Sequence, residues 1–211
     1  MKYKNVLQLK INLMGARPSI YRTIYLSNKC NFLELHTAIQ DAMGWTGYHL
    51  SAFRKGRDTE ISFQYSKKGP GDYVNFGYPL TTKISEFLQK PKDRIVYEYD
   101  FGDSWEHEII VQKVIEEIEL EHLPYCIKGK GNCPPEDCGG IWEYSNLLEI
   151  AKNPESAEYK EYEIDYGYNM ELFINTEFTK DEMDQVNDSF FDFESAVDYQ
   201  KSIFKEMKSA F

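Results

Sequence analysis

Two alternating stretches separated by a short turn constrain the fold more than any other feature of the sequence. Residues 94–101 and 105–114 each alternate large apolar with polar side chains, and Gly102-Asp103-Ser104 lies between them. Alternation of this length is typical of half-buried strands, so the sequence predicts an antiparallel hairpin. The residues expected to share one face of the second strand are Trp105, His107, Ile109 and Val111.

Further alternating segments extend the predicted strands, and one helix accompanies them. The additional strands are predicted at 3–13, 20–26, 48–54 and 60–65. Asn31 and Glu34 have the spacing of a capping box, and apolar residues at helical spacing follow until Gly44. A short helix is also expected around 82–89.

The chain changes character after residue 116. Residues 124–140 are rich in Cys, Pro and Gly and are predicted to be too irregular for a strand or a helix. Helical patterns follow, one ending before Asn153-Pro154, one beginning at Ser156 and one at the capping box of Thr179.

These patterns place strands and helices in separate parts of the chain, which indicates the α+β class. We expect a mostly antiparallel mixed sheet with one main packing helix, then a Cys-rich loop and a helical C-terminal part. The predicted organisation is a core domain over 1–118, the loop over 119–140, and an acidic helical part over 141–211 that packs on the core.

The last stretch, 183–211, carries apolar residues at every third or fourth position, interrupted only by Gln200. A period of 3.5 residues over about four heptads is compatible with a coiled-coil seam, through which the chain would self-associate. The alternative is a terminal helix that docks on its own domain, because one-sided helices usually cover a core.

Charge is divided unevenly along the chain. The net charge is −11, but residues 1–115 hold 16 basic and 12 acidic side chains, whereas residues 116–211 hold 8 and 23. The average therefore counts against nucleic-acid binding without excluding a basic face in the first half. No apolar run is long enough to span a membrane, and we expect a cytoplasmic protein with cysteines that are reduced or bound to metal.

Four segments resemble the plasmid pRiA4b ORF-3-like family, over about residues 3–188, with Tyr21 where the family usually has Trp. The family occurs on plasmids, on mobile elements and in bacterial and archaeal genomes. The resemblance implies no established activity, and an association with transposition rests on gene context. The matching segments are Arg17-Pro18-Ser19-Ile20-Tyr21-Arg22, residues 35–45 with His49-Leu50, Tyr99-Asp100-Phe101-Gly102-Asp103-Ser104-Trp105-Glu106-His107, and Cys126 with Cys133-Pro134-Pro135-Glu136-Asp137-Cys138-Gly139-Gly140.

The cysteines of this last segment form a candidate zinc site. Cys126, Cys133 and Cys138 supply three thiolates, and either His107 or His122 would complete a Cys3His set. The usual pair of cysteines two residues apart is missing. The alternative is a reduced cysteine loop that binds no metal, since free Cys packs as a small hydrophobic residue.

A second candidate site lies at the hairpin tip. Asp100, Asp103 and His107 would hold Mg²⁺ or Mn²⁺ in an enzyme that acts on phosphodiesters. Two features oppose this interpretation: aspartates beside Gly102 are favoured for turn hydrogen bonds alone, and His107 is predicted to point toward the apolar face.

Arginines of the first half are a third candidate, as a face that binds nucleic acid or a partner. They are Arg17, Arg22, Arg54 and Arg57, and aromatic residues are interleaved with them. Scattered, solvated charge is the alternative.

Known catalytic motifs such as a phosphate-binding glycine loop or a nucleophile elbow are absent from the sequence. The leading hypothesis is therefore a non-enzymatic binding or scaffolding module with a protein partner and a structural zinc. The alternatives are a metal-dependent enzyme acting on phosphodiesters and a DNA-associated accessory factor.

Overall fold

The computed structural model describes residues 1–62, 78–174 and 177–210. Within them the fold is α+β, as predicted. The strands are β1 (Lys2–Leu13), β2 (Tyr21–Ser27), β3 (Ser51–Lys55), β4 (Thr59–Ser62), β5 (Tyr78–Pro79), β6 (Arg94–Tyr99), β7 (Trp105–Glu119) and β8 (Tyr125–Lys130). The helices are α1 (Phe32–Met43), α2 (Gly140–Ile150), α3 (Ala157–Ile164), α4 (Lys180–Ser189) and α5 (Phe193–Ala210).

The described strands form one sheet in the order β5-β4-β3-β6-β7-β1-β2-β8. Neighbours pair antiparallel, except β4 and β5, which are parallel. The predicted central hairpin is confirmed: in the β6–β7 register, Tyr97 lies opposite His107 and Tyr99 opposite Trp105. The hairpin of β1 and β2 is confirmed as well.

Helix α1 packs on the sheet and buries most of its residues in the main core. Its capping box is present: the Asn31 side chain accepts from the Glu34 N–H, and the Glu34 carboxylate accepts from the Asn31 N–H. Gly44 ends the helix in the left-handed region, with φ of 81°, where a residue with a Cβ is strained.

Two short segments differ in extent from their prediction. The expected helix around 82–89 is only a short 3-10 turn at Ile84–Glu86. The predicted strand at 60–65 is described as Thr59–Ser62, and residues 63–65 lie outside the described part of the chain.

The prediction that 124–140 contains no strand is wrong, because β8 pairs with β2 at the edge of the sheet. Asn187 of α4 closes the other side of β8. The Cys126 N–H donates to Asn187 Oδ1 at 2.7 Å, and Asn187 Nδ2 donates to the Cys126 carbonyl at 3.0 Å. Hydrogen bonds to the main chain of β8, from β2 on one side and from the Asn187 side chain on the other, thus stabilise a strand that the side-chain pattern does not predict.

From Met183 to Met207 the apolar stripe packs against the core of its own chain, and Phe211 lies outside the described residues. Phe190, Val197 and Phe204 are buried. Gln200, the polar residue in this stripe, is buried and forms two hydrogen bonds. Its Oε1 lies 3.2 Å from His36 Nε2, and its Nε2 donates to the Thr46 carbonyl at 3.0 Å. Self-association stays a prediction, and it would need another surface or displacement of α5.

None of the helices that the structure describes has the length and apolar character needed to cross a membrane.

Candidate functional site

Three segments that are distant in sequence meet at one end of β6 and β7. They are residues 45–50 before β3, the β6–β7 turn at 100–104, and the loop at 133–139 before α2. Trp45 joins two of them: its indole N–H donates to the Pro134 carbonyl at 2.8 Å, and its ring stacks on Tyr99.

His49 lies at the centre of this junction with carboxylates around its ring. Nδ1 is 3.7 Å from Asp100 Oδ2, and Nε2 is 3.2 Å from Asp137 Oδ1 and 3.7 Å from Glu136 Oε2. The His49 side chain is 31% exposed, that of Asp100 13% and that of Asp137 74%. The cluster is therefore open to solvent on the side of Asp137 and partly buried on the side of Asp100.

Local backbone structure places Asp100 beside His49. The residue adopts φ of 55°, in the left-handed region, and its Oδ1 accepts the Gly102 N–H at 2.9 Å. Its own N–H donates to the Leu50 carbonyl at 2.9 Å, next to His49 in the chain. Oδ1 is thus used in the turn, and Oδ2 remains for His49.

Glu136 is held by donors from both neighbouring segments. Its Oε1 accepts from the Thr46 N–H at 2.7 Å and from the Thr46 hydroxyl at 2.8 Å. The Tyr99 hydroxyl donates to both carboxylate oxygens, at 3.1 and 3.2 Å. Burial, and then the charge of Glu136, raise the pKa of Tyr99, so the phenol stays a donor at neutral pH.

His49, Asp100 and Asp137 have the donor atoms of a metal centre. One potential ligand atom from each lies within 4.8 Å of the others. Imidazole nitrogen and carboxylate oxygen are ligands for divalent ions such as Mn²⁺ and Zn²⁺. Among the described residues, no other three His, Cys, Asp or Glu side chains bring their ligand atoms this close together.

The predicted site at the hairpin tip is only partly assembled. Asp100 belongs to the cluster, whereas Asp103 Oδ2 accepts the Gly139 N–H at 3.0 Å and so holds the neighbouring loop. His107 is fully buried, on the face shared with Trp105 as predicted, and its Nδ1 donates to the Trp105 carbonyl at 3.0 Å. Burial lowers the pKa of His107 to about 4.

Among the described residues, the cysteines of the predicted zinc site do not belong to the His49 cluster. Cys126 is buried in β8, and Cys133 Sγ lies 3.1 Å from Met43 Sδ. Burial raises the pKa of Cys133 to about 11 and that of Cys138 to about 12, so both are neutral thiols. The zinc hypothesis stays a prediction.

His122, the other proposed zinc ligand, donates through Nδ1 to the Pro124 carbonyl at 2.8 Å. Its ring lies against Phe191, with centroids 5.5 Å apart.

The four arginines do not form one face. Arg22 is 3% exposed and points inward, where its Nε donates to the Ala42 carbonyl at 3.1 Å. Arg54 is paired with Glu98 and with Glu60. Arg17 and Arg57 are exposed. The nucleic-acid or partner face stays a prediction, without Arg22 on the surface.

Sequence reasoning missed His49 and Asp137 as site residues. Both lie inside segments that carry the family resemblance, which is the one signal that marks them. No ligand spacing links them, because His49, Asp100 and Asp137 are separated by tens of residues and only the fold brings them together.

Comparisons with known proteins agree with the resemblance. The model of the family described as "Plasmid pRiA4b ORF-3-like protein" matches residues 5–186. An uncharacterised protein, y4hQ of Sinorhizobium fredii, is 32% identical over 154 residues, covering 71% of this chain and 75% of that protein. The crystal structure of MM3350, a protein of unknown function from Methanosarcina mazei Go1, superimposes with a TM-score of 0.69 at 29% identity. This match covers 86% of this chain and 97% of that one.

Proposed function

Because the chain belongs to the plasmid pRiA4b ORF-3-like family, and the relatives described above have no assigned activity, we propose its function from the site itself. His49, Asp100 and Asp137 form a divalent-metal centre, and the protein is a metal-dependent binding module. The observation that carries this proposal is the approach of these three ligand atoms to within 4.8 Å of one another.

The way the site is built supports a working centre. Each ligand comes from a different segment. Hydrogen bonds tie the segments together, with Trp45 and the Asp100 N–H donating and the Asp103 carboxylate accepting. Ligand positions supported in this way need little rearrangement when a metal binds. Glu136, fixed by Thr46 and Tyr99, supplies a further carboxylate beside His49.

The exposure of the centre supports a role in binding. Structural zinc sites are closed by four protein ligands, whereas centres that meet a substrate or partner keep positions open. Three protein ligands on a solvent-facing edge leave such positions. A metal held there would take an oxygen ligand, such as a carboxylate or a phosphate, from a partner.

The experiment is isothermal titration of the full chain with Mn²⁺, which prefers nitrogen and oxygen over thiolate ligands. We expect one site in the wild type and an affinity at least a hundredfold weaker in His49→Ala. His122→Ala, another partly buried histidine, is the matched control and should bind like the wild type. Equal binding in wild type and His49→Ala would refute the proposal.

A second candidate function is hydrolysis of phosphodiesters at the same centre. The favouring observation is Glu136 Oε2, a fixed carboxylate 3.7 Å from His49 Nε2. A metal held by the cluster would supply an activated water, and Glu136 would be the base for its proton. The test is cleavage of bis(p-nitrophenyl) phosphate with Mg²⁺ or Mn²⁺. Glu136→Gln should remove activity and leave Mn²⁺ affinity within tenfold. No cleavage by a wild type that binds Mn²⁺ leaves the binding module as the function.

A further inference from the structure

A cavity of about 650 Å³ shares Pro134 and Pro135 with the loop that carries Asp137 and extends away from the proposed metal ligands. It opens between the C-terminal turn of α1, the loop at 132–135, the segment 169–172 and α4. Its volume is within the range of small-molecule sites. None of His49, Asp100 and Asp137 lines it, so a molecule bound in the cavity would contact residues other than the proposed metal ligands.

Asp41 of α1 lines this cavity. Within the described part of the chain its carboxylate makes no hydrogen bond or ion pair, and its Oδ2 is sealed from solvent. Burial raises the pKa of Asp41 to about 6, so the group is still mostly ionised at pH 7. A carboxylate buried in this way is unfavourable until a cation or a donor compensates it.

The basic residue in the cavity wall, Arg22, has its guanidinium engaged elsewhere. Its N–H groups donate to backbone carbonyls, among them that of Gly131 at 2.8 Å, and to Cys133 Sγ at 3.3 Å. Its guanidinium carbon lies 3.6 Å from the centre of the Phe178 ring. Arg22 is therefore oriented by the fold, and it forms no ion pair among the described residues.

The remaining charges of the wall are negative, and much of the rest is apolar. Glu171 and Glu182 line the cavity together with Asp41. The apolar residues include Met43, Pro134, Leu172, Phe178 and Val186. A ligand that suits this wall has a positive group for the carboxylate and a hydrocarbon part for the apolar surface.

We propose that this cavity binds a small organic cation, an ammonium group on an apolar chain, with the ammonium against Asp41. A primary ammonium supplies up to three N–H donors and a full charge to the unpaired carboxylate. The hydrocarbon chain removes apolar wall from water when it binds.

The test compares three probes of equal length on the full chain by titration calorimetry: n-hexylammonium, 1-hexanol and hexanoate. We expect n-hexylammonium to bind at least tenfold more tightly than either of the others. This comparison needs no variant, so it holds even where a substitution unfolds the protein. Hexanoate binding as tightly as the ammonium, or no ammonium binding at millimolar concentration, overturns the proposal.

Variants locate the site. Asp41→Asn should weaken n-hexylammonium binding at least tenfold, whereas Asp184→Asn, which removes an exposed charge of α4 outside the cavity, should leave it unchanged. Thermal unfolding checks that both variants are folded. Equal loss in both variants would show a general charge effect and would also overturn the proposal.

Discussion

His107 and His49 lie on the two sides of one aromatic layer, and their surroundings are opposite. The Trp45 ring is 5.3 Å from that of His107 and stacks on Tyr99, whose ring is 5.7 Å from that of His49. His107 is sealed in the core with a backbone carbonyl as its partner. His49 is partly exposed among three carboxylates.

This difference shows that the β6–β7 pair contributes both to the hydrophobic core and to the His49 cluster. The inward face of β6 and β7 packs the core through Tyr97, Trp105 and His107. The turn between the strands supplies Asp100 to the site, at the point where pairing ends. The buried part of the family motif therefore supports the fold, and its turn contributes Asp100 to the proposed metal centre.

The largest expected effect concerns the core side of the layer. Trp105 is 1% exposed, and Trp105→Ala should lower the free energy of unfolding by about 3–5 kcal/mol. Trp142, 86% exposed, is the matched control, and Trp142→Ala should change it by less than about 0.5 kcal/mol. Urea unfolding measures both. Similar losses in the two variants would contradict the division between core and surface.

The second effect is a loss of stability in acid from the buried histidines. Burial lowers the pKa of His107 and of His36 from 6.5 to about 4. The unfolded chain thus binds more protons between these values. The free energy of unfolding should be highest above pH 6.5 and fall by about 3 kcal/mol per histidine as the pH drops to 4.

His107→Gln tests this assignment, because glutamine does not titrate. The slope of the unfolding free energy between pH 6.5 and 4 should become shallower, with His36 supplying the remainder. Asp41, whose pKa burial raises to about 6, acts in the opposite direction and reduces the net slope in both proteins. An unchanged slope in His107→Gln would mean that another group causes the acid loss.

The smallest effect separates the two aspartates of the turn. Asp100→Asn removes a proposed ligand and should weaken Mn²⁺ binding at least a hundredfold. Asp103→Asn changes only the contact with the Gly139 N–H that holds the Asp137 loop, so we expect a loss of about tenfold. Calorimetric titration compares them. A greater loss of Mn²⁺ affinity in Asp103→Asn than in Asp100→Asn would indicate that Asp103 is the metal ligand.

Alternation and capping signals predicted most of the fold. The β6–β7 hairpin, the burial of His107 beside Trp105 and the capping box of α1 all follow from local side-chain pattern. Strand β8 was missed because its order comes from pairing with β2 and from Asn187, and neither partner is visible in a local pattern.

The site was less predictable for a similar reason. Asp100 was identified because it lies in a recognisable turn. No carboxylate lies near His49 in the sequence. Its spatial neighbours Glu136 and Asp137 belong to a loop that is held by hydrogen bonds to Trp45 and Asp103. Tertiary contacts between three segments determine this cluster, so residue spacing carries no signal for it.

Anomalous diffraction from crystals of the protein grown with Mn²⁺ would show whether the His49 cluster holds a metal ion. We expect one strong manganese peak within coordination distance of His49, Asp100 and Asp137, and no such peak in crystals of His49→Ala. A well-ordered cluster without a peak at saturating Mn²⁺, or a peak that remains in His49→Ala, would contradict this expectation.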